Sequence, residues 1–241
     1  MDEARKLGEP IASNIRGHRH TSNPDASARL WFPHSGTWLR TATEFNVSSR
    51  VAVFTSPFKR TLDTTAAITR ELRQRPEVIV HPEIFETGGV YTDGVGGTRV
   101  GPGKCMSATE IATLFGYTTS RLPTVGQWYT SGWEPDGESR KRAGRVAQWL
   151  TSTGFRAEVG EGSLVVMVTH AHFIDHLSKA LLRIPDDPTL DPPKTNDPGK
   201  QAIFFATPNT ATTLLQVTEH GQVVVRWVNR VDHLGNPVPK L

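Results

Sequence analysis

The segment Leu164 to Leu182, L-V-V-M-V-T-H-A-H-F-I-D-H-L-S-K-A-L-L, constrains the fold more than any other. Five apolar residues, Leu164 to Val168, rich in β-branched side chains, predict a strand buried on both faces, and Phe173, Leu177, Ala180 and Leu181 then recur at helical spacing. A strand running directly into a helix suits an open, mainly parallel sheet, in which ligands bind in the crevice beyond the strand carboxyl ends. The turn between them, Thr169 to His172, carries two histidines, His170 and His172. A histidine in a turn is commonly a surface group or a satisfied hydrogen-bonder, so the rest of the chain has to decide between that reading and a functional one.

A second strand-to-helix step lies at Arg50 to Leu72. Arg50 to Thr55, R-V-A-V-F-T, predicts a buried strand, and Ser56-Pro57 predicts a helix with serine as N-cap and proline at its first position, continuing through Leu62, Ala66 and Ile68. Side chains in a first turn lean back toward the helix N-terminus, so Arg60 is expected beside the strand carboxyl end and the unpaired N–H groups of the helix, where anions bind well. Val78 to Val80 predicts a third strand, followed by P-E-I-F-E-T-G-G, with Glu86 in a glycine-rich turn.

The remaining elements are read from caps and turns. Ser107 with Glu110 forms a capping box ahead of a helix at 107–115, and 137–150 predicts another helix whose Arg140, Lys141, Arg142 and Arg145 form a solvated basic face. Trp128, Tyr129 and Trp133 either line a pocket or pin a long excursion to the core. Residues 202–205 and 212–217 are extended, and Glu219 to Gln222 is a hairpin turn into 223–228, expected at one edge of the sheet. At the start, 2–14 predicts an amphipathic helix interrupted by Pro10. The loop at 16–50 reads as a cap or lid in which Arg16, His18, Arg19 and His20 are a solvated basic turn or part of an anion pocket. Five prolines and four aspartates make 185–199 a loop.

Composition sets outer bounds. A chain of 241 residues accommodates one α/β domain, and a net charge of +3 argues for neither nucleic acid nor a membrane surface as partner. Cys105 is the only cysteine, so an intrachain disulfide and a cysteine metal site are ruled out, and an intracellular, cytoplasmic setting is expected. No apolar run is long enough to span a bilayer.

The order T-S-P-F-K-R-T at 55–61, I-F-E-T-G-G at 84–89, G-E-S at 137–139 and V-T-H-A-H-F-I at 168–174 resembles the histidine phosphatase superfamily, the phosphoglycerate-mutase-like proteins. The resemblance covers nearly the whole chain. It implies a single domain over 1–241 built as a three-layer α/β/α sandwich, with a mainly parallel sheet, an antiparallel edge hairpin, and loops at about 16–50, 91–137 and 185–200 inserted into it. It implies phosphoryl transfer on small phosphate esters through a phosphohistidine, with no metal and no other cofactor. By the same resemblance Arg60 clamps phosphate, His170 binds the transferring group, and Glu86 protonates the leaving group. The family's nucleophile lies in an R-H-G motif at the end of a first strand. This chain opens on a helix instead, and R-G-H-R-H at 16–20 follows no strand, so no nucleophile is assigned and Met1 is expected to be internal to a longer protein.

Two other readings follow from the same residues. A catalytically inactive relative would keep Arg60, Glu86 and His170 as a phosphate-binding pocket. A zinc hydrolase would use His170, His172, Asp175 and His176, since T-H-A-H-F-I-D-H comes within one residue of an H-x-H-x-D-H ligand pattern.

Overall fold

A computed structural model describes residues 50–72, 75–94, 98–185 and 203–231. The expected helix at 2–14, the loop at 16–49 with Arg16, His18, Arg19 and His20, and the loop at 186–200 lie outside the described residues. In chain order the elements are β1 (Val51–Thr55), α1 (Lys59–Glu71), β2 (Val78–Val80), β3 (Tyr91–Asp93) and β4 (Arg99–Pro102). They continue with α2 (Ala108–Phe115), α3 (Asp136–Thr151), α4 (Thr153–Val159), β5 (Leu164–Val168), α5 (Ala171–Leu181), β6 (Thr212–Val217) and β7 (Val223–Arg230).

The fold is mixed α/β. Three parallel strands run in the order β2-β1-β5, with Thr55 level with Val80 on one side and Val168 on the other. All three therefore end together, which gathers the residues that follow them into one region. Successive strand residues face opposite ways, and β1 shows the result. Val53 packs with Leu62, Val78, Val80, Ala108 and Ile111, while Phe54 packs with Ile84, Val146, Phe155, Phe173 and Leu177. One strand thus anchors two cores.

Local chemistry explains most element ends. The Ser107–Glu110 capping box forms as predicted, and α2 stops at Gly116 in the left-handed conformation at φ 69°, where glycine carries no Cβ penalty. The start of α1 differs from expectation. Phe58, not Ser56, is its extended N-cap residue, and the helix begins at Lys59. Pro57 biases Ser56 toward an extended backbone. The Ser56 hydroxyl lies 3.4 Å from the Phe58 N–H but is turned toward His170, so it serves the turn and not the first helical residues.

Five further expectations are corrected. The β6–β7 hairpin forms, but it is a separate two-stranded sheet with no ladder to the parallel strands among the described residues, and Leu215 and Val223 reach the Phe54 core through side chains. β5 likewise has a single strand neighbour among the described residues, and Leu164 to Met167 are half-buried where burial on both faces was expected. The basic face of α3 is not uniformly solvated: Lys141 and Arg145 are exposed, whereas the Arg142 side chain is 3% exposed and Arg140 packs against Asp136. Residues 203–205, expected to be extended, form no strand, and the glycine-rich stretch after Tyr91 contains the short β3–β4 pair that the glycines concealed. No helix among the described residues is long and apolar enough to cross a membrane.

Candidate functional site

The strand ends are tied together before any functional side chain is placed. The Ser56 N–H, directly after β1, donates to the carbonyl of Val168 at 3.0 Å, and the His81 N–H, directly after β2, donates to the carbonyl of Thr55 at 2.9 Å. Thr61 Oγ1 donates to the Ser56 carbonyl at 2.9 Å from within α1. The turn that carries Ser56 is therefore fixed from both sides.

Onto this platform His170 projects from the junction of β5 and α5. Its Nε2 lies 2.8 Å from Ser56 Oγ, and its Nδ1 receives Arg60 Nε at 3.2 Å and Arg60 Nη2 at 2.9 Å. A guanidinium has only donors, so Nδ1 must present its lone pair, the ring proton sits on Nε2, and Nε2–H donates to Ser56 Oγ. Burial, and then the charges of Arg60 and Arg142, push the imidazole down to about 2, so His170 is neutral at neutral pH. With its proton on Nε2, this imidazole cannot also take a proton from Ser56, which excludes a serine nucleophile activated by His170 in this arrangement.

Glu86 completes the group. Its Oε2 lies 3.9 Å from both Arg60 Nη2 and His170 Nδ1, and its Oε1 accepts from the Thr87 N–H at 3.0 Å. The glycines that follow are needed where they stand: Gly88 has φ +93°, and a Cβ there would lie 2.5 Å from the Trp133 ring. The Phe58 ring packs edge-on to His170 at 5.0 Å and carries the Arg60 guanidinium at 4.6 Å. Arg60 remains 59% exposed along its side chain, so an anion in solvent can reach its donors.

Arg60, Glu86 and His170, expected to act together, are brought together. Ser56 joins them and was missed as a site residue, although its place between a strand and Pro57 marked the turn. Trp128, Tyr129 and Trp133 chiefly pin the excursion. Trp128 packs on Phe58 and Phe85, Tyr129 is buried with its hydroxyl donating to the Gly132 carbonyl at 2.6 Å, and Trp133 stacks under Arg99.

The four residues of the zinc reading do not converge. His170 faces Ser56 and Arg60, while His176 places Nδ1 3.1 Å from Ser139 Oγ and Nε2 3.2 Å from Asp136 Oδ1. Asp175 accepts from the Phe205 N–H and from Lys179 Nζ, and the His172 ring packs on Phe204. Among the described residues no group of three or more such side chains is arranged to hold a metal ion. Burial alone would push the Asp136 carboxyl up, but His176 and Arg140 together hold it below its ordinary value. His176 and Asp136 are thus partners in a structural network.

Beneath the site lies a second buried group that sequence reasoning misplaced. Arg142 Nε and Nη2 pair with Glu134 at 2.8 and 2.6 Å, and its guanidinium lies against the Phe85 and Phe173 rings at 3.5 and 4.5 Å. Ser139 Oγ links Arg142, Thr87 Oγ1 and His176 Nδ1. No family model matches the chain, and no curated protein matches it.

Proposed function

We infer that Ser56, Arg60, Glu86 and His170 form a pocket for the phosphate group of a small phosphate ester. The observation that carries this reading is the meeting of an exposed two-pronged guanidinium and a buried imidazole at the ends of adjacent parallel strands. Phosphate oxygens are matched by such a planar fork and by N–H donors. The chemical fit supports the resemblance to the histidine phosphatase superfamily, and the parallel sheet with its separate hairpin suits the phosphoglycerate-mutase-like three-layer sandwich.

Given a nucleophilic histidine beside His170, the proposed activity is that of a phosphohydrolase or phosphomutase. A histidine nitrogen attacks phosphorus, the P–O bond to the leaving group breaks, and the departing oxygen takes a proton from Glu86, which enters this step as the carboxylic acid, its proton brought by the bound phosphate ester, and leaves it as the carboxylate. Water or a second hydroxyl then takes the phosphoryl group from the histidine. To serve as a phosphate ligand His170 must carry its proton on Nδ1, with Nε2 accepting from Ser56 Oγ, once ligand oxygens have drawn Arg60 away. Among the described residues no other imidazole faces the pocket: His176 is turned to Ser139, His172 to Phe204, and His81 to Phe54 and Trp149. A strand ending in R-H-G, added in parallel beside the outer edge of β5, would end next to His170 and supply the nucleophile. The alternative reading is a non-catalytic phosphate-binding relative that uses Arg60, Glu86 and His170 as the pocket alone.

Calorimetric titration with inorganic phosphate tests the pocket. Saturable binding that is lost in Arg60→Ala is expected, and its absence in the unaltered chain would refute the reading. Fusing an R-H-G strand ahead of Asp2 separates the two versions. Hydrolysis of para-nitrophenyl phosphate that survives a chelator marks the enzyme, whereas binding without turnover marks the inactive relative.

A further inference from the structure

The geometry points to Arg142 and Thr169 as positioning residues that hold Glu86 at the pocket, an inference that rests on the phosphate-pocket reading above. Three consecutive carbonyls ahead of Glu86 are each held. Arg142 Nη1 donates to the carbonyls of Glu83 at 2.8 Å and Phe85 at 2.9 Å, and Thr169 Oγ1 donates to the carbonyl of Ile84 at 2.6 Å. The first two bonds come from α3 and the third from the residue preceding His170, so the loop bearing Glu86 is fastened to the same junction that carries the imidazole. Because Phe85 is bonded through its carbonyl, the peptide leading into Glu86 is itself fixed. The carboxylate is then set by the Thr87 N–H and stands equally far from Arg60 and His170.

Arg142 is suited to this role by the rest of its environment. Glu134 neutralises it bidentately, Ser139 takes a further N–H, and two aromatic rings hold the guanidinium plane. A planar fork with its remaining N–H groups committed to backbone carbonyls resists rotation in a way a lysine ammonium cannot. Neither residue bonds to the pocket's donors; the charge of Arg142 bears on His170 directly and is kept in Arg142→Lys, so what the bonds to the carbonyls supply runs through Glu86.

A double-mutant cycle tests this, using Thr169→Val, which removes one hydroxyl at near-constant volume, and Arg142→Lys, which retains the charge opposite Glu134. In the unaltered chain Glu86→Gln removes a negative charge from the pocket and is expected to tighten inorganic phosphate binding about fivefold. In either background that gain should fall below twofold, because the carboxylate is no longer held near the anion. The ring-nitrogen NMR shifts of His170, recorded without phosphate, give a second readout: Glu86→Gln should move them in the unaltered chain and much less in the variants. A simple loss of stability changes neither coupling. Glu86→Gln effects that persist unchanged in both folded backgrounds would overturn the positioning role. A lack of phosphate binding with the NMR coupling intact would overturn the pocket reading and leave the positioning role standing.

Discussion

Both prongs of the Arg60 guanidinium converge on one atom of His170, with Nε 3.2 Å and Nη2 2.9 Å from Nδ1. This fixes the tautomer of a buried ring and also occupies the donors that a phosphate would use. Ligand oxygens must therefore draw the fork away from Nδ1, an exchange that a mostly exposed side chain can make.

The first prediction concerns that fork. Hydrogen bonds to charged groups contribute about 1.5–3 kcal/mol each, so Arg60→Ala should weaken phosphate binding by at least about tenfold. Arg60→Lys should recover only part of the loss, because an ammonium supplies charge without the planar pair of donors. Isothermal calorimetry of the three proteins under one buffer and salt condition checks both statements.

The second concerns acid stability. Burial, followed by the charge of Arg121, pushes His81 down to about 4, and burial with Arg60 and Arg142 pushes His170 down to about 2, both from an ordinary value of 6.5. Below 6.5 the unfolded chain binds protons that the folded chain refuses, so stability is full above 6.5 and falls as pH drops. Each group contributes a slope approaching about 1.4 kcal/mol per pH unit between pH 6.5 and its own folded value, and the two add between 6.5 and 4. Urea midpoints measured from pH 7 to 4 should fall steadily, and His81→Gln should flatten that fall.

Glu134 supplies the third. It forms a bidentate pair with Arg142 at a site where both side chains are under a tenth exposed. Removing one partner of a buried pair leaves the other charge uncompensated, which costs about 3–5 kcal/mol. Glu134→Ala should therefore lower the unfolding midpoint far more than Glu138→Ala, whose carboxylate pairs with Lys141 in solvent. Chemical denaturation of the two variants gives the comparison.

The residues that sequence made legible are those whose signal is local. An apolar run ending in T-H marked β5 and His170, R-V-A-V-F-T marked β1, and Ser107 with Glu110 marked the start of α2. Arg60 could be aimed because first-turn side chains lean toward the strand end. Arg142 could not be read in this way, since its partner Glu134 precedes α3 and its other acceptors are the carbonyls of Glu83 and Phe85, more than fifty residues upstream. Ser56 illustrates competition between two local rules: Ser-Pro is a helix start, yet a buried imidazole 114 residues away claims the hydroxyl. The hairpin was legible as a hairpin, but alternation within two strands does not specify which sheet edge, if any, they join.

The last prediction concerns Gly89, which has φ +71° and sits against Tyr129. A Cβ at this position would overlap the Tyr129 hydroxyl and ring, which are themselves held by the bond to the Gly132 carbonyl and by packing on Phe85 at 5.0 Å. Gly126 provides the control, because it also has positive φ, +84°, but a Cβ there would meet nothing within 4 Å. Gly126→Ala carries only the backbone strain of an L-residue in the left-handed region, about 1–2 kcal/mol. Gly89→Ala carries that strain and must also displace a buried tyrosine, and overpacking of this kind adds about 1–3 kcal/mol. Because Gly89 follows Glu86 by three residues and its N–H donates to the Glu86 carbonyl, the displacement should reach the pocket as well. Gly89→Ala is expected to lower both stability and phosphate affinity, and Gly126→Ala stability alone. Denaturation and phosphate titration of the pair would separate them, and equal effects on both measurements would show that the Glu86 turn and the Tyr129 wall are not coupled.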